Sequence, residues 1–329
     1  ETTSIRAMAF KPGWKPTNVD THTYIFPDDV AAQTTAQAVS RGFPDPWDYI
    51  QETDWPYFPE PPYTMATVPS DYEVESTLNG TVADFKQQLL AIPTMSIVTE
   101  MDDMWKWDQG YYVNSWIHGG VVWEREASIE YFDAAGNEEF QINCGIRAQG
   151  NQNRKPGPGR TPKHSMRPRF KSAYGPSKLR YPLFKDSEVD TFDSITLRGG
   201  CADSWHQYSA SRASYTRDGW THRSMHEVGQ FAPHGNYVHL YLNGLYWGLY
   251  NPVERPDASF YAEHVGIGER EEWEANNQGD PMGDDTPADL VVWNTVMGMC
   301  TGTFLSTTFN DTQYDELSEW LDMPSFCDY

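Results

Sequence analysis

Eleven of the chain's 24 lysines and arginines fall between positions 147 and 185, a window with no Asp or Glu. The other 13 basic residues face 47 acidic ones, so the rest of the chain carries −34 against −23 for the whole. Within the window lies G-N-Q-N-R-K-P-G-P-G-R-T-P-K, residues 150–163. Its glycines and prolines predict an irregular connection in place of a packed element. A Gly-rich loop followed by Lys and Arg on a strand suits phosphate, because backbone N–H groups and side-chain cations both favour an anion. The same cations could instead neutralise the acidic surface around them or hold an acidic partner. No P-loop is present: Gly145 and Gly150 have the span of one, but Asn151-Gln152 stand where Lys and Ser or Thr are needed.

Other clusters carry less. His222 and His226 are four apart on one helical face, a spacing that can chelate zinc. The stretch reads H-R-S-M-H-E, not H-E-x-x-H, and no third ligand is evident. It reads as a surface pair, and no metal ligands are assigned. Asp102-Asp103 reads as a solvated turn. The acidic stretch 268–289 reads as an exposed loop without the EF-hand pattern. Cys144, Cys201, Cys300 and Cys327 form no C-x-x-C pair. Disulfides and buried free thiols both remain open for them, with no pairing assigned.

The elements that must position this chemistry centre on residues 237–257, YVHLYLNGLYWGLYNPVERPD. Asn243-Gly244 supplies the positive φ angles of a type I′ turn between two apolar runs, which predicts a β-hairpin. A two-residue loop sets Leu242 opposite Leu245, Leu240 opposite Trp247 and Val238 opposite Leu249. On the other face Tyr241 meets Tyr246, His239 meets Gly248, and Tyr237 meets Tyr250. The first face is a core face. The second, with a notch at Gly248, is either another core face or the wall of a pocket. Strands are also predicted at 4–10, 19–26, 94–99, 127–132 and 139–150. Helices are predicted from Asp28 to Arg41, over 81–90 from a capping Thr81, from Asp218 to Val228, over 289–305 and over 315–321. Residues 43–69 hold seven prolines and read as a linker strapped down by Trp47, Trp55, Tyr57 and Phe58.

At 329 residues the chain has room for two or three domains. Its net charge argues against nucleic-acid binding over the whole surface, and no apolar run approaches the length of a membrane span. No signal peptide is evident, and the first residues already read as a strand, so the chain is expected to start within a domain.

N-G-x-Y-x-G-x-Y followed by E-R-x-D-x-x-F resembles the spore-coat-protein-H (CotH) kinase family. Asn243, Gly244, Tyr246, Gly248, Tyr250, Glu254, Asp257 and Phe260 carry the match. Upstream, the family's G-x-R-x-x-G-x-S-R and P-K-x-S-x-R-x-x-F are met by Gly145, Arg147, Gly150, Arg154, Pro162, Lys163, Ser165, Arg167 and Phe170, with Asn153 in place of the Ser. Asp193, Leu197, Arg198, Asp203 and Trp205 continue the pattern. By this resemblance Gly150 to Arg154 would form a nucleotide loop and Lys163 would contact phosphates. Arg147 and Arg167 would be supporting cations. The exit from the hairpin would be a kinase hinge, where Glu254 or Asp257 would bond a ribose, while Asp257 also reads as a helix N-cap. Residues 4–26 resemble the last strands of the chitobiase C-terminal module, an immunoglobulin-like β-sandwich, through Arg6, Ala7, Ala9, Phe10, Thr21, Thr23, Tyr24 and Phe26.

The fold class implied is α+β, an atypical protein-kinase-like fold with an antiparallel sheet lobe and the start of a helical lobe, behind a β-sandwich remnant. The expected domains are 1–27 (the end of the immunoglobulin-like module), 28–90 (a Pro- and aromatic-rich linker) and 91–329 (the kinase-like domain). The implied activity is transfer of the γ-phosphate of ATP, with Mg²⁺, to Ser or Thr of a secreted or coat-like protein at the cell surface or outside the cell. The catalytic and Mg²⁺-binding carboxylates, which the family carries in N-x-D-W and later acidic segments, are expected beyond Tyr329. The other expectation is a non-catalytic extracellular surface or adhesion protein on a kinase-like scaffold, with polysaccharide bound through the N-terminal module.

Overall fold

The computed structural model describes all residues except 51–63, 79, 114, 116–118, 151–153, 155–162, 205–209, 278–279, 283–289, 305–309 and 329. Trp55, Tyr57, Phe58, Asn153, Pro162 and Trp205 therefore lie outside the described residues. The strands are β1 Thr3–Ala7, β2 Asp20–Tyr24, β3 Trp47–Ile50, β4 Met65–Val68, β5 Thr94–Thr99, β6 Arg125–Phe132, β7 Glu138–Ala148, β8 Met166–Arg169, β9 Leu179–Arg180, β10 Thr191–Phe192, β11 Ile195–Arg198, β12 Val238–Leu242 and β13 Leu245–Glu254. The helices are α1 Pro27–Ala31, α2 Thr35–Ser40, α3 Val82–Leu89, α4 Met101–Trp105, α5 Arg217–Glu227, α6 Ala258–Val265, α7 Val291–Phe304, α8 Asp311–Ser318 and α9 Met323–Asp328. Strands and helices mix as an α+β fold requires. The chain forms two compact units: residues 1–181, 192–217 and 235–253, and residues 182–191, 218–234 and 254–329.

The first unit is built on a closed seven-stranded barrel in the order β11-β13-β12-β5-β6-β7-β8. The expected lobe was an antiparallel sheet. The structure closes it on itself, and β5 pairs with β12 in parallel, Thr94 beside His239. Closure removes the open edges an antiparallel sheet of this size would leave. Register places Ile97 opposite Ile129, Ile129 opposite Ile142, Ala127 opposite Cys144, and Met166 opposite both Ala148 and Leu197. These side chains are buried and share one face, the barrel core.

The opposite face of β5–β8 is polar. Ser96 faces Glu130, which faces Gln141, and Ser128 faces Asn143. The β1–β2 hairpin covers this face. Thr23 donates its N–H to Glu130 Oε1 at 2.8 Å, and its hydroxyl lies 2.8 Å from that of Ser96. Asn143 Nδ2 donates to the Val19 carbonyl at 3.0 Å. Glu130 is fully buried, and burial pushes its carboxyl above the usual range against the Thr23 hydrogen bonds.

The turn at Asn243 (φ 49°) and Gly244 (φ 76°) forms as the sequence predicts, and Asn243 Oδ1 accepts the Thr99 N–H at 2.9 Å. The predicted register holds only for the first two pairs. A bulge then makes Trp247 the extra residue, so Leu240 faces Gly248, His239 faces Leu249 and Val238 faces Tyr250. Gly248 has φ +108°, a conformation other residues rarely adopt, and that is what admits the extra residue. The predicted helix from Asp28 to Arg41 is two short ones, because Thr34 opens α2 with a capping box shared with Gln37. Thr81 caps α3 as expected. Asp102 and Asp103 sit in α4, not in a turn. All four cysteines are free, and Cys144 alone is fully buried.

Within the second unit α6 ends at Gly266 in the left-handed conformation, a common helix stop. No helix of the described residues is long and apolar enough to cross a membrane.

Candidate functional site

Lys163 sits three residues before β8, and its side chain lines a cavity of about 330 Å³ in the first unit. The bulged strand supplies one wall through Tyr246, Trp247 and Gly248. The pocket wall is thus the bulge itself and not the predicted Tyr-bearing face, because the shifted register sets Gly248 opposite Leu240. Lys163 Nζ donates to the Leu249 carbonyl at 2.8 Å and lies over the rings of Tyr250 (5.0 Å) and Tyr215 (5.6 Å). Burial lowers its pKa to about 8, since an ammonium loses hydration there. A Cβ at Gly248 would lie 3.0 Å from Lys163 Nζ and 3.4 Å from its Cε. The glycine therefore serves the backbone and the lysine at once.

A buried polar network holds this lysine's segment to β13. Tyr112 accepts from the His164 N–H at 3.1 Å and from Trp247 Nε1 at 2.9 Å. Tyr250 donates to the His164 carbonyl at 3.0 Å. Burial raises the Tyr112 phenol far above its usual range, so it stays neutral. The network is rigid because its members are ring systems with few rotamers.

The far wall comes from the start of β3 and the segment after β4. Tyr72 and Trp47 line it, with the Trp47 Nε1–H donated to the Tyr72 hydroxyl at 2.6 Å. Trp47 stacks on Trp105 at 6.3 Å and meets Trp247 at 6.4 Å. Trp47 therefore fastens its segment to the barrel as the sequence suggests. Asp71, Glu73 and Glu75 also line the cavity, and Lys163 is the one basic side chain among the described lining residues.

The expected arginines group apart from this cavity's lining. Arg147 on β7 is directly opposite Arg167 on β8, a like-charge pair that costs stability unless neutralised. Arg147 Nη1 is 3.9 Å from the buried Glu124 carboxylate, which also binds Lys171 at 2.9 Å. Arg167 is 1% exposed and donates from Nε and Nη2 to Ser194 Oγ at 3.2 and 3.1 Å. Arg154 lies beside Gly119, where an added Cβ would come 2.7 Å from its Nη1. Burial and then the nearby charge of Arg147 lower the Arg154 pKa. Gly150 has φ +97° in the β7–β8 connection, next to a Gln149 N–H donated to the Ser165 carbonyl at 2.8 Å.

Glu254 and Asp257 belong to the second unit. Glu254 accepts from the His234 N–H at 2.8 Å and has its two oxygens 2.9 Å from His234 Nδ1 and from His264 Nε2. Burial alone would raise its pKa, but these hydrogen bonds win and hold it below the usual value. His234 is shifted up by the same carboxylate. His226 stacks on His234 at 4.2 Å and is shifted down by burial, then by His234. The helical pair of the sequence is therefore split: His222 lies 3.8 Å from Asp218, while His226 joins a cluster built from later segments. Asp257 is buried against Arg255 at 3.3 Å and begins α6 without a side-chain cap bond. Sequence reasoning missed His234 and His264. Twenty and ten residues from Glu254, they form no local motif.

A family model described as CotH kinase protein matches residues 146–329. No curated protein matches the chain.

Proposed function

The chain belongs to the CotH kinase protein family, and on that premise we propose that it is an atypical protein kinase that binds ATP with Mg²⁺ and phosphorylates Ser or Thr of secreted or coat-like proteins outside the cell. Family membership supports a kinase-like function in general. The observation that carries the finer reading is Lys163, a cation buried in an aromatic cavity against a glycine on the strand that runs to the proposed hinge.

The residues present fit the group in kind. Trp47, Tyr72 and Trp247 offer ring faces for a base, and Lys163 offers a point charge for phosphate. Asp71, Glu73 and Glu75 would repel a bare triphosphate but are hard oxygen ligands of the type Mg²⁺ takes. Bound Mg²⁺–ATP supplies the phosphoryl group. Lys163 would hold its phosphate oxygens and regain its full charge by doing so. Gly248 leaves the lysine room, and the Tyr112 network fixes where it can point. Gly150, Arg147, Arg154 and Arg167 would add positive potential.

The second reading is a non-catalytic surface or adhesion protein that uses the same scaffold. It is favoured by the cavity's own charge, three carboxylates to one lysine. Under it the β1–β2 hairpin ends an immunoglobulin-like module that serves polysaccharide binding.

Titration of the chain with a fluorescent ATP analogue, with and without Mg²⁺, separates the two. The kinase reading expects Mg²⁺-dependent binding that falls at least ~10-fold in Lys163→Met, about the loss of one charge-assisted hydrogen bond. Absence of binding, or equal binding by the variant, overturns it.

A further inference from the structure

We propose that His234, Glu254 and His264 form a zinc site in the second unit. Their ligand atoms, His234 Nδ1, a Glu254 oxygen and His264 Nε2, all lie within 4.8 Å of one another. The side chains are 12%, 3% and 11% exposed, so the cluster is screened from bulk water yet reachable. Two neutral imidazoles and one carboxylate make the His₂Glu set that zinc takes with three protein ligands and a fourth position left to water. Nitrogen ligands also select against Mg²⁺ and Ca²⁺, which take oxygen. This site is therefore distinct in chemistry from any Mg²⁺ held beside a nucleotide.

The surroundings are those of a metal centre. A ligating carboxylate is oriented by further hydrogen bonds, and here the backbone N–H of His234 supplies one at 2.8 Å to Glu254 Oε2. Both rings are clamped in place: His226 stacks on His234 at 4.2 Å, and Phe260 packs on His264 at 4.4 Å. His226 Nε2 is buried with no hydrogen-bond partner among the described residues. The nitrogen–oxygen separations of 2.9 Å are those of ligands bridged by protons. Zinc at about 2.0–2.1 Å from each ligand needs roughly 3.3 Å between ligand atoms; each imidazole sits on a different Glu254 oxygen, and with the three ligand atoms within 4.8 Å of one another a side-chain adjustment brings them onto one ion. The ion displaces the bridging protons and joins three segments of the unit: the chain after α5, the end of β13 and the last turn of α6.

The test uses the full chain, stripped with chelator, dialysed and titrated with zinc chloride against a chromophoric chelator. One tight equivalent per chain is expected. Glu254→Gln and His264→Ala should weaken it by more than the ~10–100-fold that loss of a ligand's hydrogen-bond partner costs. His22→Ala, which dismantles the other His/Glu cluster, His22–Glu130–Glu138, should leave it intact. Should the ligand variants misfold, the wild-type chain loaded with Co²⁺ decides. Intense visible absorption of a tetrahedral centre supports the site, and a weak octahedral spectrum overturns it. No tight equivalent, or one indifferent to both ligand variants, means a proton-bridged His–Glu–His triad only and also overturns it. None of these readouts involves nucleotide, so failure of the kinase reading leaves the result standing.

Discussion

Lys163 and Glu254 are both ionisable groups taken out of water, and the two units treat them in opposite ways. Lys163 donates to a carbonyl and lies over two aromatic rings, and burial lowers its pKa to about 8. Glu254 is held by two imidazoles and an amide, partners that can share its charge, and its pKa falls as well. A fall favours the neutral form of a lysine and the charged form of a carboxylate. The lysine's surroundings disfavour its charge, whereas the carboxylate's surroundings favour its own. Burial alone does not mark a binding group; the kind of partner does.

The largest test of this contrast is Glu254→Ala. Removing one member of a buried hydrogen-bonded ion cluster costs about 3–5 kcal/mol, to be read as a drop in the denaturation midpoint at unchanged slope. A loss under ~1 kcal/mol would mean the carboxylate is not held as described. Lys163→Met should go the other way and stabilise the chain by up to about 3 kcal/mol at pH 7, from a shift of 10.5 to about 8 at 1.36 kcal/mol per unit. The sign follows from linkage. Between pH 8 and 10.5 the unfolded lysine binds more protons than the folded one, so wild-type stability rises with pH there. The penalty is full below pH 8, and the advantage of Lys163→Met should vanish above pH 10.5. Parallel unfolding curves at pH 7 and 10.5 check it, and a pH-independent difference would refute it.

Gly248→Ala sharpens the contrast from the lysine's side. Positive φ and a contact at 3.0 Å to Nζ together predict a loss of about 1–2 kcal/mol. Combined with Lys163→Met, part of that loss should be recovered, because the two share one space. Thr23→Val supplies a third kind of buried charge. It removes a hydroxyl donor from Glu130 and should cost about 1 kcal/mol, with acid titration of Glu130 moving up.

Local features were legible in the chain, and assembled ones were not. Asn243-Gly244 announced its turn because the φ angles belong to two adjacent residues. The bulge at Trp247 was not announced: Gly248 read as a missing side chain, when its backbone conformation mattered as much. The basic window pointed to Lys163, but charge count could not tell it from Arg147, which Glu124 neutralises from the preceding segment. The His222–His226 spacing drew attention to the right helix and the wrong pair. His234, Glu254 and His264 converge only when a strand end and a helix end are folded against the same turn of chain, a relation no periodicity encodes.

The parallel pairing of β5 with β12 sets a timetable for synthesis. Thr94 leaves the ribosome long before His239, its neighbour in the barrel. At about 5–20 residues per second the first strand waits roughly 7–30 s for the strand that covers its edge. During that wait β5 to β8 form at best an open sheet with an apolar face. Such sheets pair with other chains unless a chaperone holds them. The yield of folded protein should therefore depend on expression rate and temperature more steeply than the stability of the finished barrel would suggest.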